Sequence, residues 1–393
     1  MSGETGETRE TGQTLEGFRR RRRIRLAAGL TAGAVLVAGG VFWLSGGWDE
    51  WRHDRALDSA CDGALAAGPL RELLGGAEVT AETRRDAGAW WQCRVSGADR
   101  EKDGRIDLRV TVDEAGDRHA DLESAATDAP LGHGWTGGFT FDPDHDSDDR
   151  GEARASLLLG CAAKPGAKSG AESGAKSGAG ISAEVSARIS RADFALPETR
   201  TRLAAVLTGT ASAFARQHDC APAEGEPVRE VGVSVNAWDY RPFASVSGSC
   251  AGLLDAPTAA RWGVRTAVET APGPKPTEGC TLGGLQGAPL YAFEARYGAA
   301  LSWYEREELR DLTAPPTHVD PKGHYVLWAE CPGAAQLAAY TVTPDDSGTR
   351  AATTGPALDH PALRKALQSF AARSAQTHGC TPPGTAPVYP DID

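Results

Sequence analysis

Residues 218–228 read HDCAPAEGEPV and residues 378–388 read HGCTPPGTAPV. Both are His-x-Cys-x-Pro-x-x-x-x-Pro-Val. Working outward, the segments ahead of them also match. Leu203, Val206 and Leu207 correspond to Leu363, Ala366 and Leu367. That i, i+3, i+4 spacing marks one face of a helix, predicted over about 198–218 and 361–378. Asp359 is placed to cap the second helix, with Pro361 in its first turn.

The other cysteines extend the match. SACDGALAAGPLRELLGG around Cys61 parallels SGSCAGLLDAPTAARWGV around Cys250. The next cysteines, Cys93 and Cys280, follow 32 and 30 residues later, with Glu82-Thr83 and Glu269-Thr270 ahead of them. The third pair closes apolar runs, ASLLLGC to Cys161 and YVLWAEC to Cys331. Four cysteines in order with matching surroundings predict a tandem repeat, 57–228 and 229–393. Cys161 to Cys220 is ten residues longer than Cys331 to Cys380. That longer connection carries AKPGAKSGAESGAKSGAG at about 163–180, read as a flexible insert that surface loops tolerate at small entropic cost.

Four cysteines per copy allow three pairings. We expect first with second and third with fourth: Cys61–Cys93, Cys161–Cys220, Cys250–Cys280 and Cys331–Cys380. A cysteine on a strand meets one at the end of a helix packed over the same sheet. Strands are predicted from the alternation of Ile106, Leu108, Val110 and Val112. Further strands are read at 181–189 and 337–342, and 157–159 and 325–329 read as central strands. The fold class is α+β: two tandem antiparallel sheets with packed helices, each stapled by disulfides.

The N-terminal region differs in kind. Arg19 to Arg23 and Arg25 precede Leu26 to Ser45, twenty residues without a charge. As a helix this stretch spans about 30 Å, the thickness of a bilayer core. Trp43, Trp48 and Trp51 follow at interface depth, and the basic flank stays inside. The expected organisation is a cytoplasmic basic tail 1–25, a transmembrane helix 26–45, a juxtamembrane linker 46–56 and an extracytoplasmic remainder. A cleaved signal peptide shares the basic-then-apolar order, but VFWLSGGW offers a poor cleavage site. Gly29 and Gly33 form one Gly-x-x-x-Gly, a spacing that a helix rich in Gly and Ala produces by chance. All eight cysteines lie beyond the span, on the oxidising side.

The net charge is −12. Residues 1–25 carry about +3 of it and the remainder about −15. An acidic exterior argues against nucleic acid as a partner, since phosphate neutralisation needs clustered Lys and Arg. The expected partners are the lipid bilayer, through one helix, and an envelope protein, a glycan or a small ligand. No cofactor is indicated.

Candidate chemistry is sparse. Asp142, Asp144, Asp146 and Asp148 alternate as calcium ligands do, but Ser147 stands where such a loop needs Gly, and Ala153 where it needs a bidentate acid. A solvated loop is the simpler reading. His218 and His378 each precede a cysteine by two residues at a helix end, where a partly positive ring meets the negative end of the dipole. Gly166-Ala-Lys168-Ser169 fails the phosphate-loop pattern, because Ala167 separates Gly from Lys. The second copy holds Tyr291, Phe293, Tyr297, Trp303, Tyr304, Tyr325 and Trp328, as sheet core or as a binding groove. With no catalytic motif, a non-enzymatic binding module is the leading reading. An extracytoplasmic hydrolase with a spatially assembled site is the alternative.

Cys250-Ala-Gly-Leu-Leu-Asp, and more loosely Cys61-Asp-Gly-Ala-Leu, resembles the opening of a group of uncharacterised actinobacterial cell-envelope proteins. An excess of arginine over lysine, 34 to 7, has the same flavour. Those proteins are typically secreted lipoproteins with a second cysteine some thirty residues on. The resemblance covers about 45 residues per copy and implies an envelope location. It implies no activity. This chain departs by lacking a lipid-attachment cysteine near its apolar segment.

Overall fold

A computed structural model describes residues 55, 57–75, 77–85, 91–99, 104–114, 122–141, 151–163, 180–236, 238–311, 323–345 and 358–381. Among these, no helix is long and apolar enough to cross a membrane. The predicted span 26–45 lies outside them, as do most of the predicted insert and Asp142 to Asp148.

The architecture is α+β with antiparallel sheets. After the first cysteine comes α1 (Ala67–Leu74), then β1 (Val79–Arg85), β2 (Trp91–Asp99), β3 (Gly104–Glu114), β4 (Ala129–Pro130), β5 (Thr136–Phe141), β6 (Glu152–Ala163) and β7 (Gly180–Ile189). α2 (Pro197–Gln217) and β8 (Cys220–Pro222) close the first half. The second half holds β9 (Arg241–Pro242), α3 (Ala256–Arg261), β10 (Thr266–Glu269), β11 (Thr277–Gly283), β12 (Pro289–Tyr297), α4 (Trp303–Asp311), β13 (Tyr325–Glu330), β14 (Leu337–Pro344) and α5 (His360–His378). The first sheet runs β1-β2-β3-β7-β6-β5-β4, with β8 on β6; the second runs β13-β14-β12-β11-β10-β9.

The two orders coincide over five strands. β1-β2-β3-β7-β6 has the connectivity of β10-β11-β12-β14-β13. The registers coincide as well. Across the first sheet Cys93 faces Val110, Val110 faces Val185, and Val185 faces Ala155. Across the second, Cys280 faces Phe293, Phe293 faces Val342, and Val342 faces Tyr325. The four disulfides join the expected partners at Cα separations between 4.1 and 5.5 Å.

Local sequence explains the elements. In β3 the even positions Ile106, Leu108, Val110 and Val112 are buried against the helices, while Arg105, Asp107 and Arg109 point away. α2 lays Leu203, Val206, Leu207 and Phe214 on that apolar face. α5 starts where the Asp359 side chain accepts from the amide of Ala362 at 3.1 Å and stops at Gly379, whose φ is +67°. A left-handed terminal residue costs glycine no Cβ clash. One strand departs from expectation. Tyr325–Glu330 is apolar at both parities yet forms an edge of its sheet. Tyr325, Leu327 and Ala329 face the core, whereas Trp328 packs on a small cluster of Leu301, Leu337 and Ala339 on the opposite face.

The two halves form one compact unit from Leu57 to Asp393. Leu122 and Leu158 of the first half belong to the second core. Gly137 donates to the carbonyl of Pro274 at 3.2 Å. A Cβ on Gly180 would stand 2.5 Å from the Ala334 side chain, so only glycine lets β7 pass the turn Gly333–Ala335. Lys275 is fully buried at the junction, its Nζ donating to the carbonyls of Asp128 (2.8 Å) and Ala126 (3.4 Å) and to Thr270 Oγ1 (2.7 Å). Burial pushes its amine down to about 8. Arg200 on α2 ties down the chain between the halves, donating to the carbonyls of Val231, Phe194 and Ala195 at 2.7–2.9 Å.

Candidate functional site

The outward parity of the first sheet is charged. Strand pairing arranges it in rows. Arg109 on β3 faces Ser186 on β7, which faces Arg154 on β6, which faces Thr140 on β5. The next row is Asp107, Arg188 and Glu152. Directly opposed side chains on antiparallel strands sit about 5 Å apart at Cβ, so each row is a set of adjacent side chains.

These two rows floor a cleft of about 600 Å³. Phe141 and Thr127 continue its wall, and Ser234, Val235 and Asn236 form its lip. That lip is the segment joining the halves. It is held by Ser234 Oγ donating to the carbonyl of Phe141 at 3.1 Å and the amide of Val235 donating to the carbonyl of Thr127 at 3.0 Å. A cleft of this volume accommodates a small molecule or a few residues of peptide.

Most of its charge is already compensated. Arg94 grips Asp107 with two bonds of 2.9 and 2.7 Å, which holds the Asp107 carboxyl below the usual carboxylate range. Arg154 pairs with Glu123 and, at 3.4 Å, with Glu184. Arg188 pairs with Glu152. Arg109 is exposed and has no ion pair or hydrogen bond among the described residues, and the hydroxyl of Ser186 beside it has no partner among them either.

The second sheet does not repeat this floor. Register places Ala292 and Thr343 where the first has Arg109 and Ser186. His324, just ahead of β13, stands where the first has Arg154. The aromatic residues expected as core or groove divide. Phe293, Tyr297 and Tyr325 are buried, while Trp303 and Tyr304 on α4 are exposed at 40% and 76%. None of them lines the cleft.

The two histidines stand at helix ends but in different surroundings. His218 is exposed and stacks on Phe214 with centroids 4.1 Å apart. His378 is buried under the Tyr297 ring at 3.7 Å. Its Nδ1 lies 3.0 Å from the carbonyl of Ser374 and its Nε2 3.0 Å from the carbonyl of Lys275. The Ser374 hydroxyl instead bonds Tyr297 at 2.6 Å and Glu278 at 2.5 Å. Serine, histidine and glutamate are thus adjacent, but both ring nitrogens are taken by backbone carbonyls and no hydroxyl–imidazole bond forms. The arrangement is a polar core network that fastens α5 to β11 and β12. Among the described residues no group of three or more His, Cys, Asp or Glu is arranged to hold a metal ion. Asp142, Asp144, Asp146 and Asp148 fall outside them, on the connection between β5 and β6.

The polar parity of its strands is legible in the sequence, although the cleft it floors is not. Arg105-x-Asp107-x-Arg109, Glu152-x-Arg154 and Glu184-x-Ser186-x-Arg188 are the polar partners of the buried alternation. No family model, curated protein or solved structure matches this chain.

Proposed function

We propose that the chain is a non-enzymatic binding protein of the cell envelope, held in the plasma membrane by residues 26–45, with its bulk outside. In this reading the halves 57–228 and 229–393 descend from one duplicated domain, and the first carries the ligand site. Support for duplication comes from the shared strand order, the shared register and the equivalent disulfides. Support for location comes from the charge-free run after a basic cluster and from eight cysteines, all paired. The observation that carries the binding reading is the cleft itself: a volume of about 600 Å³ floored by polar side chains of β3, β5, β6 and β7 and lipped by residues 234–236.

The test places a photo-crosslinking amino acid at Asn236, on the lip, and a second at Arg202 on α2 as a control. Irradiation of intact cells expressing the full chain should yield adducts from the lip and not from the helix. Equal or absent adducts at both positions would refute the proposal. Labelling with a membrane-impermeant reagent at Arg202→Cys should succeed in intact cells, and failure there would overturn the topology.

A further inference from the structure

We propose that the outer edge of β13 is a self-pairing surface, where two copies of the chain join antiparallel into one continuous sheet. This surface lies on the second half and owes nothing to the cleft.

The backbone of β13 faces two ways. Cys331 donates its amide at 2.8 Å to the carbonyl of Gln336, next to β14, while the Glu330 carbonyl accepts from Thr381 on the other side at 2.8 Å. Val326 and Trp328 share the parity of Glu330, so their amides and carbonyls also turn away from β14. Among the described residues no strand pairs with them. In the first half the equivalent edge is filled. The shared register matches Ser156 and Leu158 of β6 to Val326 and Trp328, and β5 covers that pair with Gly138 and Thr136. Between β12 and β13 the described chain forms α4, where the first half forms β4 and β5.

Exposed edges are normally blunted by charge, proline or shortness. The other edges of the two sheets follow that rule. β1 carries Glu82, Arg84 and Arg85, and β4 and β9 are two residues long with a proline in each. β13 has six residues, no proline, no bulge and no charge from Tyr325 to Ala329. Its outward pair, Val326 and Trp328, is apolar and half-buried. A strand of that kind is stabilised by another strand beside it.

A second copy fits this edge in both register and length. With a two-fold axis at Val326, residues His324, Val326 and Trp328 meet Trp328, Val326 and His324 of the second copy. β5 covers the same span on β6, from Arg154 to Leu158. Thr381 occupies the edge at Glu330, so an added strand has to stop opposite Trp328. The second copy does stop there, because its chain turns at Gly323, whose φ is +86°. Toward the core, Tyr325 then faces Leu327 of the second copy, an aromatic–aliphatic cross-strand pair. With no charge between Tyr325 and Ala329, the two strands do not repel each other.

The experiment uses the full chain in a non-ionic detergent. Sedimentation should show a monomer–dimer equilibrium for the wild type. Val326→Cys adds one thiol to a chain whose described cysteines are all paired. Opposed residues of a hydrogen-bonded pair sit about 5.5 Å apart at Cα, within disulfide reach. Mild oxidation should therefore link Val326→Cys into a covalent dimer on a non-reducing gel. Glu330→Cys should stay unlinked, because its two copies would lie about 27 Å apart along the paired strands. Val326→Pro removes an amide that faces away from β14, so it should keep the wild-type circular dichroism spectrum while weakening the dimer about tenfold or more. Trp328→Lys puts a charge on the edge and should weaken the dimer likewise, which keeps the test valid if proline disturbs the strand. A wild type that stays monomeric up to about 0.1 mM would overturn the proposal. So would equal crosslinking at 326 and 330, or a dimer that neither Val326→Pro nor Trp328→Lys weakens.

Discussion

Replacing Lys275 with methionine should change how stability depends on pH, in a direction opposite to that of most buried charges. Lys275 is fully buried, and burial depresses its amine from 10.5 to about 8. Below that value both the native and the unfolded chain hold the proton, and the native state bears the cost of a desolvated ammonium. Between about pH 8 and 10.5 the native amine is neutral while the unfolded one remains charged. The unfolded state then binds more protons, so stability rises with pH. Each pH unit above the native value contributes about 1.4 kcal/mol, which amounts to about 2 kcal/mol between pH 7 and 9.5. Stopping at 9.5 keeps clear of tyrosine ionisation. Burial lifts the Tyr340 phenol to about 12 and raises Tyr297 too, and both would lower stability once the unfolded tyrosines ionise.

The assay is urea unfolding of the full chain in non-ionic detergent, followed by tryptophan fluorescence, for wild type and Lys275→Met. No free thiol exists among the described cysteines, so disulfide exchange does not confuse the alkaline arm. The variant orphans the carbonyls of Asp128 and Ala126, at about 1–3 kcal/mol for a buried acceptor, so it should be the less stable protein near pH 7. The deciding quantity is the difference between the two pH profiles, in which shared titrations cancel. Wild type should gain about 2 kcal/mol on the variant as pH rises. Parallel profiles, or a relative loss, would refute the claim that an ammonium is enclosed at the junction.

Three further outcomes follow from the same geometry. Arg200→Met leaves the carbonyls of Val231, Phe194 and Ala195 without their donor and should cost about 3 kcal/mol by the same unfolding assay. Cys161→Ser with Cys220→Ser opens a 59-residue loop, and chain entropy puts the loss at about 4 kcal/mol, read as a lower urea midpoint. Ala292→Arg with His324→Arg rebuilds the arginine row on the second sheet. It should change stability by less than about 0.5 kcal/mol in the same assay, because Ala292 is exposed and neither position belongs to a core cluster.

Much of the fold could be read from local signals. The expected pairing of first with second and third with fourth cysteine held in all four bridges, each of which closes within its own half. Alternation at 106–112 and helix-face spacing at 203–207 and 363–367 identified β3, α2 and α5, because burial on one side imposes one period. What escaped was set by contacts distant in sequence. The edge position of β13 is hidden because a second apolar cluster on its far face mimics the double burial of a central strand. Lys275 looks like an ordinary surface lysine until carbonyls more than a hundred residues away are brought to it. The cleft is invisible for a related reason: its rows are assembled from four strands, and no window of sequence contains Arg109, Ser186 and Arg154 together.

The outer faces of the two sheets show why one half and not the other would carry the site. In the second, Leu301, Leu337, Ala339 and Trp328 make an apolar cluster on the outer face, which gains free energy by being covered. In the first, the same parity carries Arg94, Arg109, Arg154 and Arg188 interleaved with acids, and covering it with protein would strip water from every one of those charges. A face of that kind stays open unless its partner brings compensating charge. The shared strand order gives both faces the same backbone frame. Filling one with apolar contacts stiffens the molecule, and the linker at 231–236, clamped by Arg200, then turns the other from a flat sheet into a walled cleft. The shape of this cleft is therefore a property of the junction as much as of the first half, which is why loosening the linker at Arg200 should open the cleft as well as weaken the fold.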